Sequence, residues 1–162
     1  QELNISANKI KSIVLGGHGD SMVAMVNHTI IDGKNLKSLV KEGKITEDRL
    51  NEIIDRTKKG GAEIVKYLEK GSAFYAPAAA GVEMAESYLK DLKKQLPCAA
   101  YLNGEYDTKN LYAGVPVIIG SGGVEKIVEL KLNDEEKKNF QNSIKSVEDL
   151  FIAAQKIDPD LK

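Results

Sequence analysis

The stretch VLGGHGDSMV, from Val14 to Val23, decides how this sequence is interpreted. A short apolar run ends in Gly16 and Gly17, which predicts a strand that passes directly into a loop. His18 stands in that loop, and Asp20 follows two residues later. Because glycine weakens helices and strands alike, a purely structural histidine gains nothing from such neighbours. The pattern therefore raises the hypothesis that a small molecule reaches His18.

A histidine at the end of a strand can transfer protons, since imidazole as a class titrates near neutral pH. The glycines around His18 would let a small substrate approach its ring closely. The same residues are also compatible with an ordinary surface histidine in a loop. The local sequence alone leaves both interpretations open.

Composition limits the fold and the possible partners. The 162 residues are 42% hydrophobic and 29% charged, with a formal net charge of −1, which is typical of one soluble globular domain. This balance offers no basic face for nucleic acid, and no apolar run approaches the ~20 residues that span a bilayer. The single cysteine, Cys98, excludes an internal disulfide and predicts a reducing, cytoplasmic location. Because Gln1 opens the chain without a start signal, we expect it to be part of something longer.

A long helix is predicted in the first half of the chain. Thr46 is a good N-cap for it, and apolar residues keep helical spacing as far as Leu68. The pair Gly60 and Gly61 interrupts this pattern, which predicts a kink or the close approach of another backbone. Gly71 is the expected C-cap.

Two further helices are predicted, each with one buried face. One should begin near Pro77, because proline suits a first helical turn. The other should begin at the N-cap Asn133, with Glu136 completing a capping box. The residues expected to face inward are Val82, Ala85, Leu89 and Leu92 in the former and Phe140, Ile144, Val147 and Leu150 in the latter.

Strands account for most of the remaining apolar segments. SMVAMV after His18, CAAYL, LYAGVPVIIG and EKIVELKL are all predicted strands, and Ser121-Gly122-Gly123 should join the last two as a hairpin. Helices and antiparallel strands in this order predict an α+β domain. We expect a mixed, largely antiparallel sheet packed with long helices.

Other sites are weakly supported by the sequence. The possible metal ligands His18, Asp20, His28 and Cys98 match no familiar spacing, so no metal site is predicted. His28 is expected to be a surface or turn residue, and Cys98 lies in an apolar segment where thiols are usually inert. The stretch from Gly120 to Gly123 leads into a strand rather than the helix of a phosphate cradle. Without a G-x-G-x-x-G motif either, these residues are not expected to hold a dinucleotide on their own.

Several stretches together resemble the lactate/malate dehydrogenase family, in particular its bacterial malate dehydrogenases of lactate-dehydrogenase-like type. VLGGHGDSMV is similar to the family's active-site histidine segment. RTKKGGAEIVKYLEKGSAFYAPAAAGVEMAESYLKD, from Arg56 to Asp91, resembles a second stretch, and LPCAAYLNGEY and LYAGVPVIIGSGGVEKIVEL fit the same group. The resemblance covers nearly the whole chain. It implies that residues 1–162 are the C-terminal substrate domain, with the N-terminal Rossmann half outside this chain.

The resemblance implies roles for three residues. His18 matches the catalytic histidine, which takes the hydroxyl proton from (S)-malate while a hydride passes to NAD and returns a proton to oxaloacetate in the reverse direction. Ala73 matches a position lining the substrate pocket, and Pro77 matches one that packs near the nicotinamide. The alternative for both is that they are ordinary helix-entry residues. Asp20 does not match the family's orienting aspartate and is expected to hold the loop by local hydrogen bonds.

The resemblance also implies what lies outside these residues. The family's aspartate partner of the histidine and its substrate-clamping arginine are expected just before Gln1, and the loop that reads the substrate side chain lies elsewhere. Without them the imidazole tautomer is not fixed and the substrate is not held in line. We therefore expect the 162 residues alone to be inactive.

The family further implies a cytoplasmic enzyme of the tricarboxylic acid cycle, with NAD as cofactor and malate and oxaloacetate as substrates. It would be a homo-oligomer, a dimer or a tetramer, with no nucleic acid or membrane partner. Three alternatives stay open. They are a lactate dehydrogenase C-terminal domain, a non-catalytic oligomerisation or regulatory module, and an unrelated metal or hydrolase site on His18.

Overall fold

The computed structural model describes residues 2–161, which form five α-helices and eight short to medium strands. The helices are α1 (Leu36–Lys41), α2 (Glu47–Lys58), α3 (Gly60–Leu68), α4 (Tyr75–Leu89) and α5 (Asp134–Ile157). The strands are β1 (Ile10–Lys11), β2 (Val14–Gly16), β3 (Met22–Ala24), β4 (Ile30–Ile31), β5 (Lys34–Asn35), β6 (Lys94–Asn103), β7 (Lys109–Gly120) and β8 (Gly123–Ile127).

All strand pairs are antiparallel, and they form two sheets. The larger sheet has the order β3-β2-β7-β6, with β8 also paired to β7. The smaller sheet has the order β1-β4-β5. The predicted α+β class is confirmed, and so is the hairpin through Ser121 and Gly122, which joins β7 to β8. SMVAMV is only half a strand, because β3 ends at Ala24 and a 3-10 turn follows at Val26–His28.

Helix α5 packs against the larger sheet. Its N-terminus is fixed by the predicted capping box, in which Asn133 and Glu136 each accept a backbone N–H from the other. Phe140 and Ile144 are buried in the core, as predicted. Leu150 is 72% exposed, so its predicted inward position is wrong. The buried residues of α5 all lie in its first half. The apolar spacing of the helix does not show where its contact with the sheet ends.

The predicted long helix is divided in two. Thr46 is its N-cap as expected, since its hydroxyl accepts the N–H of Arg49. The helical backbone then breaks at Lys59, between α2 and α3. Arg56 spans the break with a two-pronged ion pair to Glu63, and this hydrogen bonding holds the pKa of the Glu63 carboxyl below its usual range.

The glycine pair at this break does not bring two backbones together. A Cβ built on Gly60 or Gly61 would meet nothing within 4 Å. Of the two predicted alternatives, residues 2–161 therefore show the interruption of the helix, at Lys59, and not the close approach. The predicted C-cap is wrong. Helix α3 ends at Leu68, and Glu69 rather than Gly71 is the capping residue, with a left-handed φ of 60°.

Helix α4 begins at Tyr75, two residues before Pro77, and its predicted buried face is wrong. Val82 is 69% exposed and Leu89 is 78% exposed. Instead, the helix contacts the sheet through Ser87, whose hydroxyl donates to the Ile119 carbonyl at 2.7 Å. The apolar spacing correctly identified an apolar face, but spacing alone does not say whether this chain covers that face.

Within residues 2–161, every helix is either too short or too polar to cross a membrane.

Candidate active site

His18 lies where the sequence predicts it, directly after β2. It is the N-cap of a 3-10 turn formed by Gly19–Ser21, in extended backbone geometry with φ −91° and ψ 149°. Its side chain is exposed. Gly19 has a φ of +72°, a left-handed conformation that side chains other than glycine's resist. The backbone therefore turns immediately after the histidine and leaves the imidazole accessible.

The two glycines before His18 pack against α5. A Cβ built on Gly16 would lie 2.1 Å from Ser143 Oγ. One built on Gly17 would lie 2.3 Å from Ser21 Oγ and 3.1 Å from Val147 Cγ2. The sequence suggested that these glycines make room for a substrate, but the space beside them is filled by protein. Their absent side chains allow the His18 loop to sit on the last helix.

Two hydrogen bonds tie the His18 segment to α5, and neither was foreseen. The N–H of Gly17 donates to Ser143 Oγ at 2.8 Å, and the Asn27 amide donates to Glu136 Oε1 at 2.6 Å. The available sequence signal was the position of Ser143, a hydroxyl that shares the predicted inward face with Phe140. Its partner could not be read from sequence, because the two residues are 126 positions apart.

Asp20 does not hold the loop in the way predicted. Its side chain is exposed, and no hydrogen bond joins it to another residue in the range 2–161. The local contact comes from Ser21, whose hydroxyl donates to the His18 carbonyl over a long 3.5 Å. Across the described part of the chain, no three His, Cys, Asp or Glu side chains cluster closely enough to hold a metal ion.

Ala73 and Pro77 are close in sequence, with Ala73 in the loop before α4 and Pro77 within that helix. Ala73 is half-buried between α3 and α4, and Pro77 is exposed in the first turn of α4. His18, Ala73 and Pro77 stand on separate elements, and none of them lines either cavity described below.

A trough passes beside the His18 loop. It consists of two adjoining cavities of about 730 and 320 Å³, which share Ala24, Val26, Leu50 and Ile54 as lining residues. One end is polar and reaches Asp20 and Ser21. The other end is apolar and reaches Leu3 and Ile5. The lining residues thus extend from Leu3 and Ile5 to Asp20 and Ser21, which follow His18 in the chain.

The glycine-rich turn between β7 and β8 cannot cradle a phosphate. The N–H of Ser121 donates to Asp91 Oδ1 at 2.8 Å, and this bond holds the pKa of that carboxyl below its usual range. The N–H of Gly122 donates to Glu125 Oε1 at 3.3 Å. The two backbone N–H groups that could bind an anion at this turn are therefore already hydrogen-bonded to carboxylates. The structure confirms the predicted turn between the two strands.

The fold and these positions fit the result of a comparison with known families. Residues 1–151 match the model of the lactate/malate dehydrogenase α/β C-terminal domain. The chain belongs to the lactate/malate dehydrogenase family. The resemblance noted in the sequence is thus confirmed for nearly the whole chain.

Individual relatives of this family agree in sequence and in structure. The chain is 63% identical over 160 residues to a malate dehydrogenase of Pelagibacter ubique (strain HTCC1062), which covers 99% of this chain and 50% of the relative. A malate dehydrogenase structure from Cryptosporidium parvum superposes with a TM-score of 0.89 at 47% identity, over 92% of this chain and 48% of that one. The lactate dehydrogenase of Eimeria maxima, solved with NADH and oxamate, gives 0.93 at 41% identity, over 98% and 48%. The chain spans about half the length of the relatives it matches.

Proposed function

We propose that this chain is the substrate domain of an NAD-dependent malate dehydrogenase and that His18 is its acid–base residue. The observation that carries this proposal is the 63% identity to the Pelagibacter ubique malate dehydrogenase across 99% of the chain. A lactate dehydrogenase is the second candidate, because the Eimeria maxima enzyme superposes over 98% of the chain. Its 41% identity is the weaker similarity.

His18 would move one proton in each direction of the reaction. In malate oxidation, the neutral imidazole accepts the hydroxyl proton as the C–O bond becomes a carbonyl and a hydride leaves the same carbon. In oxaloacetate reduction, the imidazolium donates that proton to the carbonyl oxygen as the carbon receives the hydride. NAD supplies the hydride acceptor when it is bound. The exposed ring of His18 at a strand end suits such proton transfer.

Ala73 and Pro77 complete the proposal on this chain's side. We assign Ala73 to the substrate pocket, where its small side chain leaves room, and Pro77 to packing near the nicotinamide, where its exposed ring offers a rigid apolar surface. These residues fit only the nicotinamide end of the cofactor. Its phosphates would be bound by residues outside 2–161, since the Ser121 turn is occupied by carboxylates.

An N-terminal Rossmann half would supply the remaining groups. Two observations support this division: the relatives are about twice as long as the chain, and the trough leaves Leu50 and Ile54 without cover on one side. An element of that half lying in the trough would bring its side chains beside the His18 loop. Without it, we expect no turnover from residues 1–162.

Assembly with further copies is part of the same proposal. Tyr75, Val82 and Leu89 all project large apolar or aromatic side chains outward from α4, and such a row is typical of a protein–protein contact. We propose that this face of α4 contacts another subunit of a homo-oligomer. A cytoplasmic location fits the lone cysteine, Cys98.

The proposed activity is tested on the complete protein, expressed from its own start codon. Its rates with NADH are measured with oxaloacetate and with pyruvate as substrates. We expect faster turnover of oxaloacetate. Faster reduction of pyruvate would establish the lactate alternative, and the absence of turnover with either acid would favour a non-catalytic module.

A further inference from the structure

The strand–loop junction before His18 is anchored to α5 by a single buried hydroxyl. Ser143 is 3% exposed, and its Oγ accepts the N–H of Gly17 at 2.8 Å. Gly17 immediately precedes His18 in the chain. The bond therefore fixes the Gly16–Gly17 peptide, one peptide unit before the histidine.

The Ser143 hydroxyl packs closely against Gly16, at the start of the loop that holds His18. A Cβ on Gly16 would lie 2.1 Å from Ser143 Oγ and 2.7 Å from Ser143 Cβ. Side chains other than glycine's at this position would push the loop away from the helix. Ser143 thus fills the space that Gly16 leaves open, and its hydroxyl accepts the N–H of the next residue, Gly17.

Helix α5 holds the His18 segment at both ends. Ser143 binds it at Gly17, and Glu136 binds it at Asn27 through the 2.6 Å hydrogen bond to the Asn27 amide. Ser143 and Glu136 are two turns apart on one helix, and Phe140 between them is fully buried in the core. The eleven residues from Gly17 to Asn27 are therefore fixed to this helix at two points.

We propose that Ser143 is a positioning residue for His18, which rests on the proposed function of His18 as the acid–base residue. Ser143 does not touch the substrate. It holds the Gly17 peptide so that the imidazole meets the reacting oxygen at hydrogen-bonding distance. Proton transfer depends steeply on that distance, so a shift of the loop lowers the rate of the chemical step.

The test compares Ser143→Ala with Ser146→Ala in the complete enzyme. Ser146 is a matched control: it lies one turn further along α5, is exposed, and donates its hydroxyl to the Asn142 carbonyl of its own helix. We expect Ser143→Ala to lower kcat by about tenfold to a hundredfold, with the KM for NADH unchanged. Ser146→Ala should leave both constants unchanged. Equal kcat values for the two variants would overturn the proposal.

A double variant separates positioning from a general loss of structure. In a His18→Ala background there is no imidazole left to position, so adding Ser143→Ala should lower the residual rate no further. A general structural defect would instead lower the residual rate by the same factor as in the parent enzyme. That result would contradict the proposal while leaving the role of His18 intact.

A measurement without turnover keeps the proposal independent of the activity assay. Amide hydrogen exchange is followed at Gly17 in ¹⁵N-labelled protein. We expect the Gly17 amide to exchange at least about tenfold faster in Ser143→Ala than in Ser146→Ala, because its acceptor is lost. Unchanged protection at Gly17 would refute the anchoring role even if the protein reduced neither oxaloacetate nor pyruvate.

Discussion

Gly114 of β7 lies directly opposite Gly16 of β2, and the two glycines form the register pair that joins these strands. A Cβ built on Gly114 would stand 2.8 Å from the Gly16 carbonyl oxygen. The strand that leads to His18 therefore approaches the centre of the larger sheet through a contact that only glycine permits.

Gly114→Ala should destabilise the chain, because the added methyl group meets backbone rather than a flexible side chain. We expect the free energy of unfolding to fall by about 1–3 kcal/mol, as measured by urea denaturation. Gly81→Ala is the matched control. Gly81 lies within α4 with nothing within 4 Å of its would-be Cβ, so that variant should gain about 0.5–1 kcal/mol. A neutral Gly114→Ala would show that β2 and β7 can separate without cost.

The two directions of the reaction should respond oppositely to pH. On the proposed mechanism, reduction of oxaloacetate requires the protonated imidazole of His18, so the kcat/KM of reduction should fall as the pH increases. Oxidation of malate requires the neutral imidazole, so it should fall as the pH decreases. Initial rates measured in both directions over the same pH series would test this difference. If the rates of reduction and oxidation both fall at the same end of the pH range, a group other than His18 transfers the proton.

Cys98 should react slowly with thiol reagents. Its Sγ lies 3.3 Å from the sulfur of Met84, and burial raises the pKa of the thiol. Each unit of such a rise lowers the reactive thiolate fraction at neutral pH about tenfold. The reaction with a chromogenic disulfide should therefore be several-fold slower in the folded than in the urea-unfolded protein. Equal rates would show that Cys98 is freely accessible.

The raised pKa of the Cys98 thiol also makes the unfolding free energy depend on pH. Because the folded state raises the pKa of the Cys98 thiol, it favours the protonated form. The resulting stabilisation of the folded state is fully present below the pKa of the thiol in the unfolded chain. It is lost as the pH rises through the pKa of the thiol in the folded chain. Cys98→Ser should therefore flatten the alkaline decline in unfolding free energy. A decline that is identical in both proteins would place its cause elsewhere.

The outward face of α4 should support self-association. Val82→Glu places a charge in that face, so we expect the mass of the complex to fall in sedimentation velocity. Its unfolding free energy should change little, because Val82 is already exposed. Ala80→Glu adds the same charge about 200° around the helix and is the control. An unchanged mass for Val82→Glu would remove α4 from the proposed subunit contact.

Local signals in the sequence predicted the ends and the core of several elements correctly. Thr46 and Asn133 cap their helices because their short side chains place an oxygen where it accepts a backbone N–H of the first turn. Phe140 and Ile144 are buried as their spacing indicated. These features depend on residues within a few positions of each other, which is the range over which a sequence can be interpreted directly.

The errors arose where a long-range contact, or its absence, decides the outcome. The spacing of Val82 and Leu89 identifies an apolar face, but the cover it requires does not come from residues 2–161. The local sequence around Gly16 and Gly17 suggests substrate access, whereas the space beside Gly16 is filled by Ser143, on a helix more than a hundred residues away. The spacing of residues identifies an apolar or small surface, but only the folded structure shows which residues contact it.

The central claim is tested most directly by His18→Ala in the complete protein, assayed with oxaloacetate and NADH. His18 is exposed and accepts no structural hydrogen bond on its ring from residues 2–161, so the variant should keep its unfolding free energy. We expect kcat to fall by about 10²–10⁴-fold, the usual contribution of a positioned acid–base group. A variant that turns over at the rate of the parent protein would contradict the assignment of His18.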